Sequence, residues 1–348
     1  MMMLMSLTER QKLILALIVR EYVNSVEPVS SRTLVENYHL DMSSATVRNE
    51  MSMLSELGYL KQPYTTAGRA PTKNGYRYYV QQLMRPMELP DRVQQTIRHQ
   101  FYQARHDVDD WLALSASVLA MQTKVASLVT PLRAEKSHFK HLELIATRGR
   151  QVLLVLVLEG GEVRQQTLML EKNISQHSLS TLAAKLTIEL NGLGAEEISP
   201  RIEITEDRVE QAALIAIIDE IQRSETIFTG DVYHDGLMNV LSEPEFLEPE
   251  IAQNTLRIFE ERSILDDVLS RTIFGGESIG VHVVIGGENT WSELKDCSIV
   301  MTQYGSQNAS MGVVGVLGPL RMAYGQMVST VSFVADVMRE LLAESMIN

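Results

Sequence analysis

The sequence predicts an α+β protein of several domains, and three observations carry that expectation. Apolar residues recur at helical spacing through residues 8–57 and again through 174–262. Apolar or alternating runs mark strands at Leu142–Thr147, Gln151–Leu158 and Val163–Leu170, and return at Gly280–Ile285, Ser298–Tyr304 and Met311–Leu317. The length of 348 residues allows two or three domains at about 150 residues each.

Composition narrows the class. A hydrophobic content of 45% excludes a disordered chain. The single cysteine, Cys297, cannot close an intramolecular disulfide, which fits a reducing compartment. The apolar run Val152–Leu158 is far short of the roughly 20 residues that span a bilayer. The start, Met1 to Met5 and then Ser6, lacks the basic and long apolar regions of a secretory signal. The expectation is a cytoplasmic protein with no membrane partner.

The first 80 residues read as a helix-turn-helix followed by a wing. Thr8 or Ser6 caps a helix running to about Asn24, with Leu13, Ile14, Leu17, Ile18 and Tyr22 on one apolar stripe. Ser30 or Ser31 caps a short second helix over 31–38 that turns Leu34 and Val35 inward. Ser43 or Ser44 caps a third helix through Leu57, where Val47, Met51 and Leu54 share a face. Gly58 stands where a left-handed helix end is wanted. A strand at Tyr59–Gln62, a mobile tip at Thr65–Thr72 and a returning strand at Tyr76–Val80 complete the wing.

Charge is unevenly placed. The chain carries −13, yet residues 1–85 hold ten basic and seven acidic side chains, so they carry +3 and the rest −16. Between Leu57 and Met87 there are five basic residues and no acidic one. Salt screens charges beyond about 8–10 Å, so a local basic stretch can face a polyanion on an acidic chain. The outer side of the third helix is mostly small and polar rather than Glu- and Lys-rich: Ala45, Asn49, Ser52 and Glu56 face out, with Thr46 and Arg48 flanking, and its only acids, Glu50 and Glu56, lie away from the N-terminal turn. Arg pairs with guanine, Asn with adenine, and Ser or Thr with phosphate or base edges. Ser43, Ser44, Thr46, Arg48, Asn49 and Ser52 are therefore candidate contacts to double-stranded DNA. Arg69 at the expected tip can reach a minor groove or a phosphate, and Lys73 and Arg77 at its base can hold phosphate.

The string SSATVRNEMSMLSELGYLKQPYTTAGRAPTKNGYRYYV (residues 43–80) resembles the winged-helix segment of the HrcA family, the bacterial heat-inducible transcription repressors. Its pattern is long: S-x-A-T-V-R-N-E-M, then L-x-x-L-G-Y-L, then P-x-T-x-A-G-R-x-P-T-x-x-G-Y-R-x-Y-V. The opening LTERQKLILALIVREYVNSVEPVSSRTL is similar to the same family. So is the stretch from Gly286 to Val334, with G-x-E-N and later G-x-x-G-V-x-G-P-x-R-M-x-Y, although Leu320 and Ala323 replace the usual Thr and Asp. The resemblance covers most of the chain and is thin over 174–262.

The resemblance implies a winged helix (1–80) and a GAF-like α/β domain in two parts (126–173 and 265–348). It also implies a helical dimerising domain inserted at 174–264, while helices over 81–125 read as a linker and dimer contact. It further implies a homodimer bound to the inverted-repeat operator called CIRCE, repression by occluding RNA polymerase, and the GroEL chaperonin as the partner that maintains activity. No cofactor is expected.

Enzyme readings are weak by comparison. Gly286-Gly287 is no dinucleotide fingerprint, and Gly312, Gly315 and Gly318 lie within a strand pattern where glycines mark close packing. His138, His141 and Glu143 lack a supporting second pair for a metal. Cys297 has no nearby His in sequence to activate it. The competing binding class is a protein-interaction winged helix with a ligand-binding GAF-like body.

Overall fold

Caps set the first three helices. In the computed structural model, which describes residues 7–85, 87–104, 108–134, 136–226, 231–274, 280–306 and 310–345, α1 spans Glu9–Ser25, α2 Ser31–Tyr38 and α3 Ser44–Glu56. Thr8 and Gln11 form a reciprocal capping box at α1, while Ser30 and Ser43 accept the backbone N–H of Thr33 and Thr46 at α2 and α3. The alternative cap Ser6 lies outside the described residues. Ile14 and Ile18 of α1, Leu34 of α2, and Val47, Met51 and Leu54 of α3 are buried. Gly58 ends the third helix at φ +80°, as a left-handed terminus requires.

Beyond α3 the structure corrects the expected wing. Strand β1 is only Leu60–Lys61, and it pairs antiparallel with β2, Ala70–Pro71. The expected returning strand at Tyr76–Val80 is helical: α4 spans Lys73–Tyr78 and continues as a π-turn over Tyr79–Leu83. Thr72 explains this, because its hydroxyl accepts the Gly75 N–H and caps a helix. Gly75 also lets α4 press on the preceding loop, since a Cβ there would lie 2.2 Å from the Tyr59 carbonyl oxygen.

The remaining elements mix helix and sheet. They are α5 (Asp91–Gln103), α6 (Val108–Thr123), β3 (Ala126–Val129), β4 (Arg133–Ala134), β5 (Phe139–Ala146), β6 (Gln151–Leu158) and β7 (Val163–Met169). Then come α7 (Gln176–Leu190), α8 (Ala195–Ile198), α9 (Pro200–Ile204), α10 (Arg208–Thr226), β8 (Tyr233–Asp235) and α11 (Leu237–Leu241). The chain closes with α12 (Pro249–Glu260), α13 (Arg262–Leu269), β9 (His282–Ile285), β10 (Cys297–Ser306), β11 (Ser310–Pro319) and α14 (Tyr324–Ser345).

Two units divide the chain. One comprises residues 1–130, 232–304 and 313–348, and the other 131–231 and 305–312. In the first, strands run in the order β8-β3-β11-β10-β9, with β3 antiparallel to both β8 and β11. Strand β11 is buried almost throughout, which suits its near-continuous apolar sequence, and α6 packs on β3 and α14. Gly315 sits where a Cβ would lie 2.8 Å from that of Met301, so the glycine serves close strand packing. The first 80 residues belong to this same unit.

The second unit is an antiparallel meander, β5-β6-β7, packed on helices. Its limits differ from the expected insertion at 174–264 at both ends. The meander begins the unit because Phe139, Leu144, Leu154 and Leu156 share a core with Leu179, Leu186 and Ile217. Residues 232–264 fall outside it because β8 pairs with β3, His234 lying opposite Leu128.

Cys297 opens β10 and is buried with its sulfur 3.4 Å from the Thr255 hydroxyl. Burial disfavours the thiolate and pushes the thiol up to about 12. At pH 8 that leaves roughly one molecule in ten thousand as thiolate. Disulfide-exchange labelling at pH 8 is therefore slow in the native chain and fast in denaturant; equal rates would contradict the burial. Leu54→Ala is expected to cost about 2–5 kcal/mol through the cavity left between α1 and α3, read as a lowered urea midpoint.

Candidate nucleic-acid interface

Burying the Val47, Met51 and Leu54 side of α3 leaves the opposite side in solvent. Ala45, Arg48, Asn49 and Glu56 are exposed, and Thr46 and Ser52 are half-buried. The serines and threonine are partly committed. Ser43 Oγ caps α3 and lies 2.9 Å from the Thr46 hydroxyl, while Ser44 Oγ is 2.9 Å from Ser31 Oγ and ties α3 to α2. The Ser52 hydroxyl donates to the Arg48 carbonyl, 3.1 Å away. Among the described residues, no hydrogen bond or ion pair engages the side chains of Arg48 and Asn49. The helix thus presents one unneutralised guanidinium beside one free amide, a pair able to donate to base-edge acceptors and, through the amide oxygen, to accept.

The hairpin places its residues differently from the sequence expectation. Arg69 is not at a mobile tip. Its backbone exchanges hydrogen bonds with Val29 at 2.8 and 2.9 Å, adding an antiparallel bridge beside the β1–β2 pair. Its side chain is half-buried, with Nε shielded from solvent and without a hydrogen-bond partner. The projecting turn is Pro63–Thr66, held by the Gln62 amide, which donates to the carbonyls of Thr65 and Ala67 at 2.9 Å. Tyr64 is 63% exposed at that turn, and Lys61 is exposed on β1. Sequence reasoning missed both; the acid-free basic stretch from Leu57 to Met87 was the signal that includes Lys61.

Lys73 and Arg77 face the folded body. Arg77 Nη2 donates to the Ile285 carbonyl at 2.8 Å, and Nε lies 3.3 Å from the Glu288 carboxylate. The Lys73 side chain lies along Gly286, where a Cβ would come within 2.7 Å of its Cδ. Tyr76, between them on α4, is buried with its ring centroid 6.1 Å from that of Tyr324. These residues meet the body rather than open solvent.

The histidines considered as metal ligands pair locally with carboxylates: His138 with Glu159 at 3.7 Å, and His141 with Glu143 at 3.1 Å. No described helix is long and apolar enough to cross a membrane.

Comparison with known proteins places the chain. The family model described as the HrcA protein C-terminal domain matches residues 109–328. The heat-inducible transcription repressor HrcA of Roseiflexus castenholzii is 40% identical over 345 residues, covering 97% of this chain and 95% of the relative. That of Thermomicrobium roseum is 41% identical, covering 98% and 97%, and that of Chloroflexus aurantiacus is 38% identical, covering 97% and 94%. A crystal structure of a hypothetical protein at 2.2 Å superposes with a TM-score of 0.60 over 98% of this chain and all of that one, at 22% identity, which speaks to the fold alone. On identity and coverage together, the chain belongs to the HrcA family of heat-inducible transcription repressors.

Proposed function

We propose that the chain is a dimeric, sequence-specific DNA-binding repressor of chaperone operons, acting at the CIRCE inverted repeat and kept active by the GroEL chaperonin. The observation that carries the DNA reading is the Arg48–Asn49 pair, exposed and, among the described residues, unpartnered on a helix whose other side is core. On this reading, α1 to α3 and the β1–β2 hairpin are a winged helix-turn-helix, and α3 enters the major groove. Ser43, Ser44, Thr46 and Ser52 line the approach to the backbone and base edges. Lys61 and Tyr64 at the hairpin replace Arg69 as the wing's contact, because they are an exposed cation and an exposed aromatic ring there, whereas Arg69 is half-buried. Bound dimer occludes RNA polymerase. Heat diverts GroEL to unfolded clients, and repression falls.

On the same reading, the part of the first unit built on β8-β3-β11-β10-β9 is the GAF-like body, and the meander unit is the dimerising insertion. The meander supports self-association. Strand β6 is apolar on both faces: Val152, Leu154 and Leu156 point into the unit's core, while Leu153, Val155 and Val157 stay half-exposed on the other side. Exposed Ile145 lies opposite Leu153, and exposed Val163 opposite Val157, so an apolar stripe crosses that face. A second copy covers it in the proposed dimer.

Arg48→Ala and Asn49→Ala should each weaken operator binding by about 1–3 kcal/mol while leaving scrambled DNA nearly unaffected. Gel shifts on both duplexes check this, and equal losses on both would remove base reading. Tyr64→Ala should weaken operator binding more than Arg69→Ala in a matched titration, and the reverse order would return the contact to Arg69. Val155→Glu should shift the chain toward monomer by light scattering; an undisturbed dimer would place the self-association face elsewhere.

A further inference from the structure

Glu288 is a non-glycine residue held at φ +48° and ψ +24°, following Gly286 at φ +63° and Gly287 at φ +69°. Three successive left-handed residues are costly for the one that carries a Cβ, and such outliers persist where surrounding contacts over-determine them. Those contacts are specific here. One carboxylate oxygen of Glu288 accepts the Ile285 N–H at 3.1 Å, and the other faces Arg77 Nε at 3.3 Å. Arg77 in turn donates to the Ile285 carbonyl at 2.8 Å and to the Asn74 side chain at 3.3 Å. The turn after β9 thus grips the guanidinium from two sides, and Lys73 and Tyr76 pack alongside against Gly286 and Tyr324. The Arg77 side chain is only 19% exposed, so the pair is partly shielded from solvent and salt. Tyr59 of the β1 approach stacks edge-on against Tyr78 at 5.1 Å, so α4 carries this grip back to the hairpin.

We propose that Glu288 is a positioning residue for operator binding. Through Arg77 it clasps the DNA-binding segment to the body within the same unit, and so holds the recognition helix in one orientation on that body, a condition for a fixed separation of the two recognition helices in a dimer. This rests on the reading of the chain as a dimeric DNA binder. A two-fold dimer reads two half-sites only if their separation is fixed, normally at one helical turn or a multiple. A segment free to swing on its body reads each half-site without enforcing the separation.

The test uses the full-length chain, with fluorescence anisotropy on the CIRCE inverted repeat and on repeats whose spacer is lengthened by one or two base pairs. Glu288→Gly removes the carboxylate and relieves the left-handed strain, so its thermal midpoint should not fall. The wild-type chain should lose about tenfold in affinity on the lengthened spacers. Glu288→Gly should bind the native spacer about fivefold more weakly and lose less than about twofold on lengthening. Glu288→Gln keeps an acceptor for the Ile285 N–H and removes the charge facing Arg77, so its spacer preference should flatten in the same direction. A purely structural defect would lower binding on all spacers by one factor. A spacer preference identical to wild type, or tighter native-spacer binding in the glycine variant, would overturn the positioning role. If the wild-type chain binds no inverted repeat, the DNA-binding reading falls and the clasp has nothing to position.

Discussion

The structure depends first on how α3 is held. A single stripe of Val47, Met51 and Leu54 locks it against the buried Ile14, Ile18 and Leu34 of the two preceding helices. A helix fixed by one narrow stripe has no rotational freedom, so residues beside and opposite that stripe are left facing water. That constraint puts Arg48 and Asn49 in solvent, without side-chain partners among the described residues. The Ser43 cap and the Ser44–Ser31 contact then set where the helix starts, which fixes the height at which those two side chains emerge.

A second constraint acts at the far end of the segment. Helix α4 delivers Arg77 and Tyr76 to the body, and the left-handed turn at Gly286–Glu288 receives them. Nearby, Arg321 is nearly enclosed between Glu243 and Glu245, joining the start of α14 to the segment after α11 in the same unit. A charge removed from water in this way holds its place only when fully paired, so both clusters fix geometry more than they add stability. The proposed DNA face and the body are therefore tied by directional contacts rather than by apolar packing alone.

Much of this was legible in the sequence. The limits of α1 to α3 could be read to within a residue or two because Thr8, Ser30 and Ser43 are strong caps, and β6 matches its expected span because its apolar run is bounded on both sides by turn residues. The family pattern was legible too. The expected strand at Tyr76–Val80 failed because four aromatic and basic residues alternate by chance, while the cap at Thr72 decided the local structure. Strands β3 and β8 went unread because four and three residues carry too little periodicity, and their pairing is long-range. The same reason hid the roles of Lys73 and Arg77: their partners lie some 200 residues away, and spacing along the chain says nothing of them.

The uneven charge gives the proposed interface its selectivity. With +3 in the first 85 residues and −16 in the rest, the proposed interface leaves the approach to phosphate to the N-terminal segment, since net negative charge on the body opposes it. The most direct test of that account is hydroxyl-radical footprinting of the wild-type chain on the inverted repeat at physiological salt. Two protected patches, centred one helical turn of about 10–10.5 base pairs or a whole multiple apart, are predicted. Continuous protection running into the flanking DNA, or none at all, would contradict it.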